Sequence, residues 1–170
     1  QWWLTDPQRA LANNSAAYTE RPQMELFMKE WLSLIESKSG ERGIFNRAAA
    51  IKKAVDSGRR DATKIVGTNP CAEITLRSAG LCNLSEVVIR QDDTLDSLKE
   101  NIRVATIIGT YQSMLTDYRY VRNIWKKNQE EERLLGVSLT GIMDHPVLSL
   151  TNEVSVEWLK AMKQHAIEVN

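Results

Sequence analysis

Apolar side chains recur along this chain at two spacings, and the switch between them outlines its elements. From Pro22 to Ser37 they fall at Met24, Phe27, Met28, Trp31, Leu34 and Ile35, close to the helical period of 3.6. An amphipathic helix is expected there, broken by Ser39-Gly40-Glu41-Arg42-Gly43. Gly43-Ile44-Phe45 reads as a short buried strand or turn. Asn46 is placed to cap a second helix over 47–57, and Gly58 to stop it. A long helix should run from Thr94 towards Thr116, with Leu95, Leu98, Ile102 and Ala105 near one face. Its lead-in, Asp92-Asp93-Thr94, brings a cap and negative charge to the positive end of the helix dipole. Glu153 to Ala166 reads as a last amphipathic helix, with Val156, Leu159 and Met162 in period.

The strand signals are shorter. Glu73–Leu76, Leu84–Arg90 with its Val87-Val88-Ile89 run, and Gly136–Gly141 read as strands. Strands separated by helices predict α/β packing with a largely parallel sheet. No repeat, linker or low-complexity stretch divides the chain, so residues 1–170 read as one continuous unit.

Composition narrows the setting. Lys plus Arg (22) balances Asp plus Glu (22), so no global field recruits nucleic acid or an anionic membrane. No apolar run approaches the roughly 20 residues that span a bilayer. Gln1-Trp2-Trp3-Leu4-Thr5-Asp6 lacks the basic start and apolar middle of a signal peptide. The start without Met and the stop at Val169-Asn170, inside an expected helix, read as a piece of a longer polypeptide. Two cysteines are too few for a secreted disulfide scaffold, and a cytoplasmic setting is expected. Their spacing is not that of a zinc site, and His145 and His165 lie far away in sequence, so no metal is expected.

Those two cysteines, Cys71 and Cys82, sit eleven residues apart in short polar motifs. Asn69 and Glu73 flank Cys71 at i−2 and i+2, positions that share one side of an extended backbone. Three readings follow: a small buried hydrophobe beside turn-capping polar groups, a thiolate nucleophile, or a hydrogen-atom carrier. A nucleophile wants a histidine or cation to lower its pKa, and no histidine lies close in sequence. A hydrogen-atom carrier uses all three groups, as thiol, base and hydroxyl-holding amide. A Cys71–Cys82 disulfide is the plainest competing reading. The intervening Arg77-Ser78-Ala79-Gly80 suggests a hairpin-like excursion bringing both thiols to one site.

Elsewhere the blander readings prevail. The five tryptophans read as core packing, not base stacking. Arg119, Arg122, Lys126 and Lys127 read as a solvated helix face, offset by Glu130 to Glu132, in preference to a phosphate-facing strip. His145, before Pro146, reads as a turn residue.

The words around the cysteines also resemble a known family. Gly67-Thr68-Asn69-Pro70-Cys71-Ala72-Glu73-Ile74, followed by Leu81-Cys82-Asn83-Leu84-Ser85-Glu86-Val87-Val88, is similar to the core of the adenosylcobalamin-dependent (class II) ribonucleotide reductases. Ala12-Asn13-Asn14-Ser15, the stretch 36–47 and the stretch 130–141 resemble further phrases of that family, in the same order. The resemblance implies part of a ten-stranded α/β barrel carrying the catalytic finger loop. It implies radical reduction of ribonucleotides with adenosylcobalamin as cofactor and an external, thioredoxin-like dithiol as reductant. Cys71 would be the thiyl that takes the 3′-hydrogen, Glu73 the base for the 3′-hydroxyl, and Asn69 the amide that binds the ribose hydroxyls. Cys82 would be one half of a redox pair whose partner lies outside this chain, with a role distinct from that of Cys71. Asn14 and Ser15 would lie near the substrate. The phrasing around Arg119-Tyr120 and 135–138 leans towards triphosphate substrates. A diphosphate reductase of the same superfamily and a non-catalytic barrel-derived interaction domain are the alternatives.

Overall fold

The computed structural model describes residues 2–8, 15–38 and 42–170, which form two compact units, 1–78 and 79–170. Asn14, named above beside the substrate, and its neighbour Asn13 lie outside the described residues.

The first unit is built from short pieces. A single helical turn, α1 (Trp2–Thr5), precedes β1 (Ser15–Tyr18), α2 (Met24–Ser37), β2 (Gly43–Asn46), α3 (Arg47–Ser57), β3 (Gly67–Thr68) and β4 (Thr75–Leu76). Strands β1 and β2 pair in parallel, Ser15 opposite Gly43. A Cβ at Gly43 would sit 3.0 Å from Ser15 Oγ, so the small residue leaves the serine its place. Asn46 caps α3 as expected, accepting from Ala49 N at 2.9 Å, and Gly58 ends it at a φ of +61°. The apolar core here is small: Ala54, Ala62 and Ile65, with Ala50 and Ile51 packed against them. The stripe on α2 departs from expectation, because no residue of that helix is buried and Trp31 is 45% exposed. Tyr18, Phe27 and Trp31 instead form a chain of ring contacts, with centroids 6.4 and 6.2 Å apart.

The second unit is a helix-covered parallel pair: β5 (Asn83–Val88), α4 (Leu95–Ser113), α5 (Asn123–Glu132), β6 (Leu135–Thr140) and α6 (Glu153–Val169). β5 and β6 run in parallel over six residue pairs, Asn83 opposite Leu135. α4 and α6 supply Leu98, Ile102, Ala105 and Met162 to a core that includes Val87, Ile89 and Leu148. Leu98 is fully buried. α4 runs close to β6 at Gly109, where an added Cβ would meet Leu135 Cδ1 at 2.1 Å. Both long helices open on reciprocal caps. Thr94 Oγ1 accepts from Ser97 N while Ser97 Oγ accepts from Thr94 N, and Asn152 and Ser155 repeat the arrangement.

Three polar residues of this unit play larger parts than the sequence suggested. His145 is 2% exposed; its Nδ1 accepts from Val147 N and Leu148 N, and its Nε2 lies 2.9 Å from Asp93 O. Its ring also packs on Trp158, the tryptophan that meets the core as expected. α5 presents Lys126, Lys127 and Glu130 to solvent, in line with the solvated face, yet buries Asn128 and Gln129. Among the described residues no helix is long and apolar enough to cross a membrane.

Candidate active site

Cys71 sits at the tip of a hairpin. β3 and β4 pair antiparallel, Thr68 opposite Thr75, and the loop between them is Asn69-Pro70-Cys71-Ala72-Glu73-Ile74. Pro70 follows Asn69 at the position of a β-turn that its fixed φ suits, and Ala72 N closes the turn on Asn69 O at 3.1 Å. Ala72 then takes a left-handed φ of +66°, costing about 1 kcal/mol for an L residue. That residue swings the chain back so that Glu73 returns towards Asn69.

Asn69 is the hub of the loop. It is buried; its backbone N–H donates to Ile74 O at 3.1 Å, and its Oδ1 accepts from Ile74 N at 3.0 Å. Its Nδ2 donates to Glu73 Oε1. With Asn69 O on Ala72 N, both its backbone and its side chain are committed inside the loop. The sequence reading brought Asn69, Cys71 and Glu73 together as i−2, i and i+2 neighbours. Pro70 favours an extended or loop geometry there, with the Cys71 motif on a loop and a strand from Glu73 onward. In the structure a turn joins them: the strand begins at Thr75, the amide and carboxylate touch, and the thiol is exposed at the apex. Chemically, this is an accessible thiol two residues from a carboxylate that a fixed amide holds in place.

Two arginines that the sequence reading passed over hold the hairpin. Arg47 donates through Nε and Nη2 to Val66 O at 3.0 and 2.8 Å, and Arg60 Nη1 donates to Thr75 O at 2.6 Å. Neither carried a sequence signal, because an arginine binding backbone carbonyls leaves no pattern of residue types.

Cys82 belongs to the second unit, half-buried immediately before β5. Its neighbour Asn83 is buried and donates from Nδ2 to Leu134 O at 3.0 Å. Asn128 Nδ2 donates to Ala79 O at 2.9 Å, tethering the approach to that strand. Both thiols are free, so the disulfide reading is not realised. The expected excursion pairing the two cysteine motifs gives way to separate pairings, β4 with β3 and β5 with β6. Ser15 is exposed at the start of β1.

An open groove of about 380 Å³ lies in the first unit, lined by residues that include Tyr18, Met24, Phe27, Ile44 and Asn46. None of Asn69, Cys71 and Glu73 lines it, so its apolar walls say nothing about the cysteine chemistry. Among the described residues no group of three His, Cys, Asp or Glu side chains is placed to hold a metal ion. Both ring nitrogens of His145 are engaged within the fold, so that histidine is not a free ligand.

Comparison with known proteins supplies the class. The chain is related in sequence to a segment of the ribonucleotide reductases. More particularly, its relatives are named adenosylcobalamin-dependent ribonucleoside-triphosphate reductase. The protein of Lacticaseibacillus paracasei is 32% identical over 145 residues, covering 80% of this chain and 18% of the relative. That of Lactobacillus helveticus is 36% identical over 117 residues (62% and 14%), and that of Lactobacillus gasseri 37% over 83 (48% and 11%). The chain thus spans less than a fifth of the length of these relatives. No family model matches the chain, and no solved structure matches it significantly.

Proposed function

We propose that this chain is the finger-loop segment of an adenosylcobalamin-dependent ribonucleoside-triphosphate reductase and part of a ten-stranded α/β barrel. The carrying observation is the hairpin tip, where Asn69 grips Glu73 beside the exposed Cys71, in a chain whose relatives bear that enzyme's name. The substrate class in the relatives' names favours triphosphates over diphosphates.

Adenosylcobalamin, when bound, supplies the radical chemistry. The rest belongs to the chain. Cys71, as a thiyl, takes the hydrogen atom from the ribose 3′-carbon and forms an S–H bond. Glu73 takes the 3′-hydroxyl proton as the 2′-hydroxyl leaves, and a base so placed contributes about 10²–10⁴-fold in rate. Asn69 holds the hydroxyls and, until they arrive, the carboxylate. In net balance, C2′–OH becomes C2′–H, water departs, and two thiols become one disulfide. Cys82 is one of those thiols; its partner lies outside this chain, and an external thioredoxin-like dithiol in the cytoplasm restores the pair.

The test uses the full-length reductase. Cys71→Ser should abolish nucleotide reduction while cofactor binding persists, and turnover that survives the change ends this reading. Cys82→Ser should still permit exchange of the 3′-hydrogen but block formation of the deoxyribonucleotide.

A further inference from the structure

A hairpin with two residues on each strand has too few ladder bonds to hold its own shape. Yet chemistry at its tip needs one fixed geometry. The first unit answers with a rigid block beside the hairpin. Helix α3 runs into a short 3-10 turn, Ala62–Lys64, and Ala54, Ala62 and Ile65 of this block pack into one apolar cluster. Asp61 Oδ1 caps the turn, accepting from Thr63 N at 3.0 Å and from Thr63 Oγ1 at 2.6 Å.

Two arginines reach out of this block, one to each leg of the hairpin. Arg47, the first residue of α3, closes its guanidinium on Val66 O just ahead of β3. Its Nη1 also donates to Thr19 Oγ1 at 3.3 Å, past the end of β1. Arg60, two residues beyond the Gly58 cap, donates from Nη1 to Thr75 O at 2.6 Å and to Thr75 Oγ1 at 3.1 Å, on β4. Val66 N in turn donates to Leu76 O at 2.9 Å, closing the base of the hairpin between the two clamped carbonyls. The fork geometry is what makes arginine suitable: its donors are fixed in one plane, whereas a lysine offers a single point on a flexible stem.

We propose that Arg47 and Arg60 are positioning residues of the reaction, clamping both legs of the hairpin so that Cys71 and the Asn69–Glu73 pair keep one register. The inference rests on Cys71 and Glu73 being the reacting groups. Each arginine reaches the hairpin through a backbone carbonyl, Arg47 at Val66 and Arg60 at Thr75. Because misplacement of a reacting group by about 1 Å can cost ~10²-fold, loosening either leg should appear in kcat more than in KM.

The experiment compares Arg47→Lys, Arg60→Lys and, as a control on the half-buried ion pair with Glu30, Arg42→Lys in the full-length reductase. The two clamp variants should lose at least about tenfold in kcat, with KM for the ribonucleoside triphosphate moved far less. Exchange of the Asn69, Ala72 and Ile74 amides, all bonded inside the loop, should quicken in step. Arg42→Lys should change neither quantity. Unchanged kcat in both clamp variants overturns the proposal, and so does a fall in kcat with loop exchange unaltered. If Arg47→Lys accumulates poorly, Arg60→Lys carries the same two readouts. Failure of the underlying reading looks different: turnover then survives Cys71→Ser while loop exchange still quickens in the arginine variants, and the positioning role falls with it.

Discussion

The two units hold their cysteines by opposite means. In the second, Cys82 precedes a strand whose Val87, with Ile89 just past its end, lies in a core with Leu98, Ile102 and Met162. In the first, Cys71 rides on a loop whose order comes from Asn69, Arg47 and Arg60, beside an apolar cluster of two alanines and an isoleucine. Burial is non-directional and spreads over a whole unit, whereas hydrogen bonds are local and set angles. The contrast therefore teaches that damage to the second unit should be global, and damage to the hairpin local.

The sharpest break of that contrast is Leu98→Ala. Emptying a fully buried site should cost about 2–5 kcal/mol, read as a lowered urea midpoint for the whole second unit. A smaller cost is expected from Gly141→Ala. The position has a φ of +78°, and the new Cβ would stand 2.4 Å from Ile89 O, a backbone atom that cannot rotate away. The strain is about 1–3 kcal/mol in the same measurement. Asn69→Ala should act differently, raising amide exchange in the loop about tenfold and leaving the second unit's midpoint alone. A midpoint shift as large as that of Leu98→Ala would erase the distinction between the units.

The mildest effect is on acid stability. The Arg90 N–H, then the Ser97 hydroxyl, hold the Asp93 carboxyl below its ordinary value of 3.8. A depressed pKa stabilises the fold above the unfolded value and is lost as pH falls through the folded one. The second unit should therefore weaken slightly from about pH 4 downwards, and Asp93→Asn should flatten that limb of a urea-midpoint titration.

Burial and capping are written in residue types, and those parts of the fold were legible. The Val87-Val88-Ile89 run lies on or beside β5, and Asn46 and Thr94 mark the helix starts they cap. The hairpin was not legible, because its strands are too short for any period to show and its clamps end on carbonyls. The spacing of Asn69, Cys71 and Glu73 named the right neighbours, and of the extended and loop geometries open to Pro70 the chain takes the loop. Left-handed Ala72 turns it so that Glu73 meets Asn69, and the strand waits until Thr75. His145 and Asn128 stayed hidden for a related reason. Each satisfies backbone groups distant in sequence, Asp93 O and Ala79 O, and a polar residue among charged neighbours reads as solvated. The α2 stripe erred in the other direction, since a helical period marks an apolar face without supplying what covers it.

The double engagement of Asn69 also limits what can be written at that position. The side chain must accept from Ile74 N with one atom and donate to Glu73 with another, at the reach of a single methylene. Aspartate keeps the shape but sets a second carboxylate against Glu73, serine ends one bond short of the atoms that meet the two partners, and glutamine carries the amide a carbon too far. Of the twenty letters only one spells this contact, so the alphabet at position 69 has shrunk to a single character before any substrate arrives.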